Sequence, residues 1–79
     1  MGRDYYGEAS MLAKTLAAEG HRREADLLQD AMDAGATANE ILMGLRWNIQ
    51  LILDSKVSSV PETRSRLKSL LAALNVELS

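Results

Sequence analysis

Apolar residues recur three and four positions apart along almost the whole chain, which is the spacing of one face of an α-helix. No run alternates apolar and polar residues for long enough to predict a strand. The pattern predicts an all-α protein with four helices: α1 over about 4–19, α2 over 21–34, α3 over 38–54 and α4 over 60–78. Because the connections are short, we expect a single domain over 1–79 that forms a compact antiparallel bundle.

Glycine and capping residues mark the predicted helix ends. Gly20 is placed to end α1 in a left-handed turn. Before α3, Thr37 and Glu40 form a capping box, in which each side chain accepts a hydrogen bond from a backbone N–H at the start of the helix. Ser59 and Glu62 repeat this spacing before α4, with a proline in the first turn, where proline is tolerated.

Each helix has an apolar stripe that we expect to face the core. The stripes are Tyr5, Ala9, Leu12, Ala13 and Leu16; Ala25, Leu27, Leu28, Ala31 and Met32; Ile41, Leu42, Leu45, Ile49, Ile52 and Leu53; and Thr63, Leu67, Leu70, Leu71, Leu74 and Leu78. Helix α3 also carries a second, narrower ridge, Met43, Trp47 and Leu51, at four-residue spacing. Either α3 is the central helix of the fold and this ridge is core, or the ridge packs on a partner. Arg46 and Gln50 lie beside the ridge and would form the polar rim of such an interface.

The outer face of α2 is acidic. Asp26, Asp30 and Asp33 follow one another at i, i+4 and i+7, and residues 19–40 contain six acidic side chains against two arginines. We interpret these aspartates either as a solvated helix face or as a docking surface for a basic protein. They do not predict a calcium site, because calcium needs about six to eight oxygens from a loop that wraps around it.

The composition excludes several common kinds of enzyme active site. The chain has 79 residues with one His and no Cys, so it lacks a thiolate nucleophile and the usual zinc ligand sets. We therefore predict a non-enzymatic protein without a cofactor or a metal. A formal net charge of −2 gives no overall attraction to nucleic acid. No apolar run reaches the roughly 20 residues of a membrane span, so we expect a cytoplasmic protein without membrane contact.

Two stretches resemble known families. Residues 12–35, where Gly20 and small alanines separate two apolar stripes, resemble one helical hairpin of a tetratricopeptide repeat, which implies an antiparallel helix pair. Residues 35–47, Gly-Ala-Thr-Ala-Asn-Glu-Ile-Leu-Met-Gly-Leu-Arg-Trp, resemble a segment of small all-helical bacterial proteins. Some of those proteins are immunity proteins that neutralise a cognate toxin. This resemblance implies a small cytoplasmic protein that binds another protein and has no catalytic site.

Residues 35–47 also resemble the turn and first residues of a helix-turn-helix recognition helix, but after Arg46 the helix becomes too apolar to lie in a DNA groove.

Our leading interpretation is a non-enzymatic protein–protein interaction module, a homodimer with Met43, Trp47 and Leu51 at its interface. A chain this small has little core of its own and gains stability by self-association. The alternatives are an immunity-type protein that binds a basic toxin through the α2 aspartates, and a small DNA-binding regulator.

Overall fold

The computed structural model describes residues 3–55 and 60–79 of the chain. This part contains four helices and no strand. The helices are α1 (Tyr5–Ala18), α2 (Arg22–Ala34), α3 (Ala38–Asp54) and α4 (Pro61–Glu77). The predicted all-α class is confirmed, and each predicted boundary lies within one residue of the observed one. No helix in the described ranges is long and apolar enough to cross a membrane.

Helix α1 ends in the predicted left-handed turn. Gly20 has a φ of 87°, and the backbone N–H groups of Gly20 and His21 donate to Ala17 and Leu16 at 3.1 and 2.8 Å. These two bonds satisfy carbonyl groups that the end of a helix otherwise leaves without donors. Glycine suits this position because a side chain is strained in the left-handed region. The turn sends α2 back along α1.

The turn between α2 and α3 is tight and places the start of α3 against the end of α2. Thr37 Oγ1 accepts a hydrogen bond from the Glu40 N–H at 3.2 Å, as predicted. The Glu40 carboxylate accepts from the Ala36 N–H at 3.2 Å, one residue before the donor that a capping box predicts. Gly35 is needed here, because a Cβ atom would lie 2.5 Å from the Ile41 side chain and 2.8 Å from its backbone nitrogen.

The start of α4 differs from the prediction. Its N-cap residue is Val60, with Pro61 in the first turn, and no side chain caps the helix. The predicted capping box placed the N-cap one residue earlier, at Ser59, which lies outside the described residues. The hydroxyl of Thr63 instead donates to Glu19 Oε2 at the end of α1, at 2.7 Å. Glu19, predicted to add to the acidic surface around α2, therefore faces the first turn of α4, where the helix dipole favours a carboxylate.

The four helices form a ring in which each packs on two neighbours. Helices α1 and α3 each contact both α2 and α4. The interpretation of α3 as the central helix is therefore wrong, because apolar periodicity identifies the faces of a helix but not how many neighbours cover them. The α2–α3 pair is antiparallel: Asn48 donates to the Leu27 carbonyl at 2.7 Å, while Gly44 lies against Ala31, further along α2.

The core consists of the predicted inward stripes. Buried residues are Ala9, Leu12, Ala13, Leu16, Ala25, Leu28, Ala31, Met32, Leu45, Ile49, Ile52, Thr63, Leu67, Leu70 and Leu74. The side chains that pack partly buried against them are Tyr5, Leu27, Ile41, Leu42, Leu53 and Leu71. Leu78 is the predicted stripe residue that stays outside this cluster. The core is aliphatic, and the ring closes where α1 meets α4.

Tyr5 fastens the start of α1 to the end of α4. Its hydroxyl lies 3.4 Å from the Ala73 carbonyl oxygen and 3.3 Å from Glu77 Oε1. Desolvation of the phenol, followed by the charge of Glu77 and the hydrogen bond to it, raises the pKa of Tyr5 above its ordinary value. The folded protein therefore holds this phenol in its neutral, donating form.

We expect the free energy of unfolding to fall as the pH rises above about 10, where the unfolded chain loses the tyrosine proton that the folded chain retains. Tyr5→Phe should flatten this decline and also lower the free energy of unfolding at neutral pH, because the hydrogen bond is lost. Urea unfolding at a series of alkaline pH values measures both effects. Tyr6→Phe, an exposed tyrosine in the same helix, is the control. An unchanged pH dependence in Tyr5→Phe would contradict the assignment.

The contact between Thr63 and Glu19 generates a second prediction. Thr63→Val keeps the shape of the buried side chain but removes the donor to a carboxylate whose Oε1 is already buried without a partner. We expect the free energy of unfolding to fall by about 1–3 kcal/mol in urea titrations. Ser65→Ala removes an exposed hydroxyl from the same helix and should change it by less than about 0.5 kcal/mol. Equal losses in the two variants would show that the contact does not stabilise the fold.

Candidate protein-interaction surface

Helix α3 exposes the ridge of Met43, Trp47 and Leu51. The three side chains are 48%, 70% and 45% exposed. Trp47 lies two residues from both Leu45 and Ile49, or about 200° around the helix, and those two residues are fully buried. The ridge therefore points away from the core, and the interpretation that it is ordinary core packing is wrong.

The ridge is flanked by polar side chains on the side away from α2. Arg46 is half-buried and Gln50 is exposed, and Gln50 Nε2 donates to Asp54 Oδ1 at 3.0 Å. Both predicted rim residues thus lie beside the ridge, one turn apart. At the start of the ridge, Asn39 Nδ2 approaches the sulfur of Met43 at 3.7 Å. The ridge rises about 12 Å along the helix from Met43 to Leu51, a distance of eight residue steps.

A groove between α2 and α3 borders the other side of the ridge. It has a volume of about 330 Å³. The lining residues are Asp30, Ala31, Ala34, Gly35, Glu40, Gly44 and Asn48. Its floor is made of small residues, because Gly44 brings α3 close to α2: a Cβ atom on Gly44 would contact the Ala31 Cβ at 3.5 Å. Sequence reasoning missed this groove, although a glycine inside a predicted helix signals such a close approach.

The predicted acidic residues of α2 are at the surface but do not form one site with the ridge. Asp26, Asp30 and Asp33 are all exposed, and of these Asp30 lines the groove. Asp33 accepts a hydrogen bond from Gln29 at 3.1 Å instead. Glu40, one of the six acidic residues in 19–40, also lines the groove. The acidic edge of this surface is therefore Asp30 with Glu40.

These acidic side chains have no salt bridge within the ranges 3–55 and 60–79. The ion pairs there join Arg3 to Glu8 and Arg66 to Glu62, and they involve neither α2 nor α3. No lysine or arginine of α4 thus forms an ion pair with an acidic residue of α2 in these ranges. This surface therefore combines an apolar ridge with a negatively charged edge.

A larger cavity, of about 550 Å³, lies between α1 and α4. Its lining includes Arg3, Glu8, Met11, Arg66 and Ser69, but no residue of the ridge. The charged groups are engaged: Arg3 donates to Glu8 at 2.8 Å, and the Ser69 hydroxyl accepts from Arg3 at 3.3 Å. The hydrogen bond to Glu8 also raises the pKa of Arg3. Ser69 thus lies beside a guanidinium, which cannot take its proton.

The single histidine is half-buried at the N-cap of α2, where its side chain makes no capping hydrogen bond. In the part of the chain that the structure describes, no three metal-ligating side chains come together. The exposed ridge with the groove beside it makes the surface of α2 and α3 the candidate functional site.

No protein-family model, curated protein or solved structure matches this chain. The resemblances noted in its sequence therefore stay predictions, and its function is inferred from the surface of α2 and α3.

The placement of the ridge predicts that Trp47 contributes little to the stability of the isolated chain. Trp47→Ala should change the free energy of unfolding by less than about 1 kcal/mol at dilute concentration, since surface substitutions have small effects. Leu45→Ala, two residues away in the core, should lower it by about 2–5 kcal/mol. Urea unfolding followed by circular dichroism measures both variants. A comparable loss in Trp47→Ala would place the indole in the core.

Proposed function

We propose that this chain is a non-enzymatic protein–protein interaction module of the cytoplasm, which associates with a second copy through the ridge of Met43, Trp47 and Leu51. The observation that supports this is the exposed ridge opposite the core face of α3. A single exposed apolar residue needs no explanation. A tryptophan between a methionine and a leucine at helical spacing is different, because tryptophan is enriched at binding hot spots and methionine at adaptable binding surfaces.

A second copy is a suitable occupant because the ridge is short, continuous and flanked by polar groups. In a two-fold dimer both copies supply the same patch, so each Trp47 would bury its ring against the partner's ridge. Arg46 and Gln50 would then border the apolar contact, as polar rims do in protein interfaces. Each copy carries a formal net charge of −2, with Asp30 and Glu40 beside the ridge, so two copies repel one another electrostatically as they approach. We expect an association that salt strengthens through screening.

Light scattering over a range of concentrations tests the dimer. We expect the solution mass to rise toward twice the chain mass, and the dimer fraction to increase when salt is raised from about 0.05 to 0.5 M. Trp47→Ala should remain monomeric with unchanged helicity. Met11→Ala removes another exposed methionine, on α1, and should dimerise as the wild type does.

Two outcomes would contradict this proposal. A monomeric wild type at every concentration and salt level would show that a second copy does not cover the ridge. A dimer that survives in Trp47→Ala would show that copies meet through a different surface.

The immunity-type interpretation is a second proposal for the same region. It is supported by the exposed aspartates of α2, which lack ion pairs within the described ranges. Such a protein would use Asp26, Asp30 and Asp33 against the basic cleft of a toxin. The DNA-binding alternative is weaker as a proposal. The outer face of α3 is apolar there, and its one cation, Arg46, is half-buried.

A further inference from the structure

We propose that the α2–α3 groove and the ridge beside it bind a basic amphipathic helix of a partner protein, in competition with the second copy. This inference rests on the proposed function, because it assigns the same ridge to a partner of stated chemistry. Three features of the described residues support it: the shape of the apolar ridge, the acidic edge of the groove and the small residues on the groove floor.

The shape of the ridge suits a helix. Met43, Trp47 and Leu51 extend over about 12 Å, and the residues at i, i+4 and i+7 of a packed helix extend over about 10.5 Å. Helical partners bind to apolar surfaces through anchors at this spacing. Residues 3–55 and 60–79 form no strand, so this region offers no sheet edge to an extended peptide. A helix of two to three turns that lies along α3 would cover the ridge.

The charge of the surface selects a basic partner. Asp30 and Glu40 line the groove, and Asp54 is exposed just beyond the ridge. The nearest cation on α3 is Arg46, on the opposite side of the ridge from the groove. A second copy brings the same three carboxylates and a single arginine at the opposite rim, whereas lysine or arginine residues on both sides of a partner's apolar stripe would pair with all three. Among partner helices with the same apolar stripe, the one with basic flanking residues should therefore bind with the highest affinity.

The groove floor admits the partner's side chains. Ala31, Ala34 and Gly44 leave a trough between the two helices. A Cβ atom on Gly44 would make an ordinary contact with Ala31 at 3.5 Å, so alanine is tolerated there. Because Gly44 lines the groove, Gly44→Leu adds bulk there without removing any part of the ridge, and Gly44→Ala is its matched control. Circular dichroism and urea unfolding check that the leucine variant keeps its fold.

The test uses Trp47, the one tryptophan of the chain, as a fluorescent probe. The ligand is a synthetic 14-residue helical peptide that lacks aromatic residues and has leucine at i, i+4, i+7 and i+11 and lysine at the flanking positions. A second peptide replaces each lysine by glutamate. In dilute protein, we expect the lysine peptide to shift the Trp47 emission to shorter wavelength with saturation, and the glutamate peptide to give no shift.

Variants locate the binding site. Asp30→Asn with Glu40→Gln should weaken binding of the lysine peptide about fivefold or more, because two charge pairs are lost while the hydrogen-bond acceptors remain. Glu62→Gln with Glu77→Gln makes the same charge change on α4, and binding should stay within about twofold. Gly44→Leu should weaken binding about tenfold or more, and Gly44→Ala should leave it unchanged. Raising the salt concentration should weaken binding, the opposite of its effect on the dimer.

The outcomes separate this inference from the proposed function. Equal binding of the two peptides, or equal effects of the two double charge variants, would overturn the basic-helix assignment. If the lysine peptide fails to bind while the chain forms a dimer that Trp47→Ala disrupts, the inference is wrong and the dimer stands. If the chain is monomeric and the lysine peptide binds, self-association is wrong and the inference stands. When both hold, the peptide should lower the solution mass of the dimer.

Discussion

Burial of one face of α3 fixes the rest of this structure. Leu45 and Ile49 are fully buried in the aliphatic centre of the ring, and a helix is too rigid to turn one face without turning the other. Rotating α3 to bury Trp47 would expose both residues, at about 1.5–3 kcal/mol for each. The indole is therefore held at the surface by the same packing that holds the bundle together.

The two long sides of this exposed ridge differ in charge. On one side, the close approach of Gly44 to Ala31 opens a groove with Asp30 and Glu40 at its edge. On the other side lie Arg46 and Gln50. Glu40 belongs both to the cap of α3 and to the groove, so the tight turn at Gly35 sets the position of an acidic group at the proposed binding surface. The turn between α2 and α3 therefore also determines where negative charge lies at the groove.

Much of the fold could be predicted from the sequence because the relevant signals are local. Apolar spacing located the four helices and almost all of the core, and Gly20 located the first turn. The number of neighbours around α3 could not be predicted, because periodicity reports faces and not packing partners. The same limit applies to Glu19: only the folded ring brings it next to Thr63. The ridge was predicted as a feature, but whether it was core or surface depended on that ring, as did the groove beside it.

Acrylamide quenching of Trp47 fluorescence at low and high protein concentration tests whether association covers the ridge, since the indole should be exposed in the single chain and covered in the dimer. We expect strong quenching in dilute solution, because the side chain is 70% exposed, and protection of the indole as the concentration rises. Protection already present in the dilute monomer would place Trp47 in the core. Strong quenching at every concentration would show that copies of this chain do not cover the ridge.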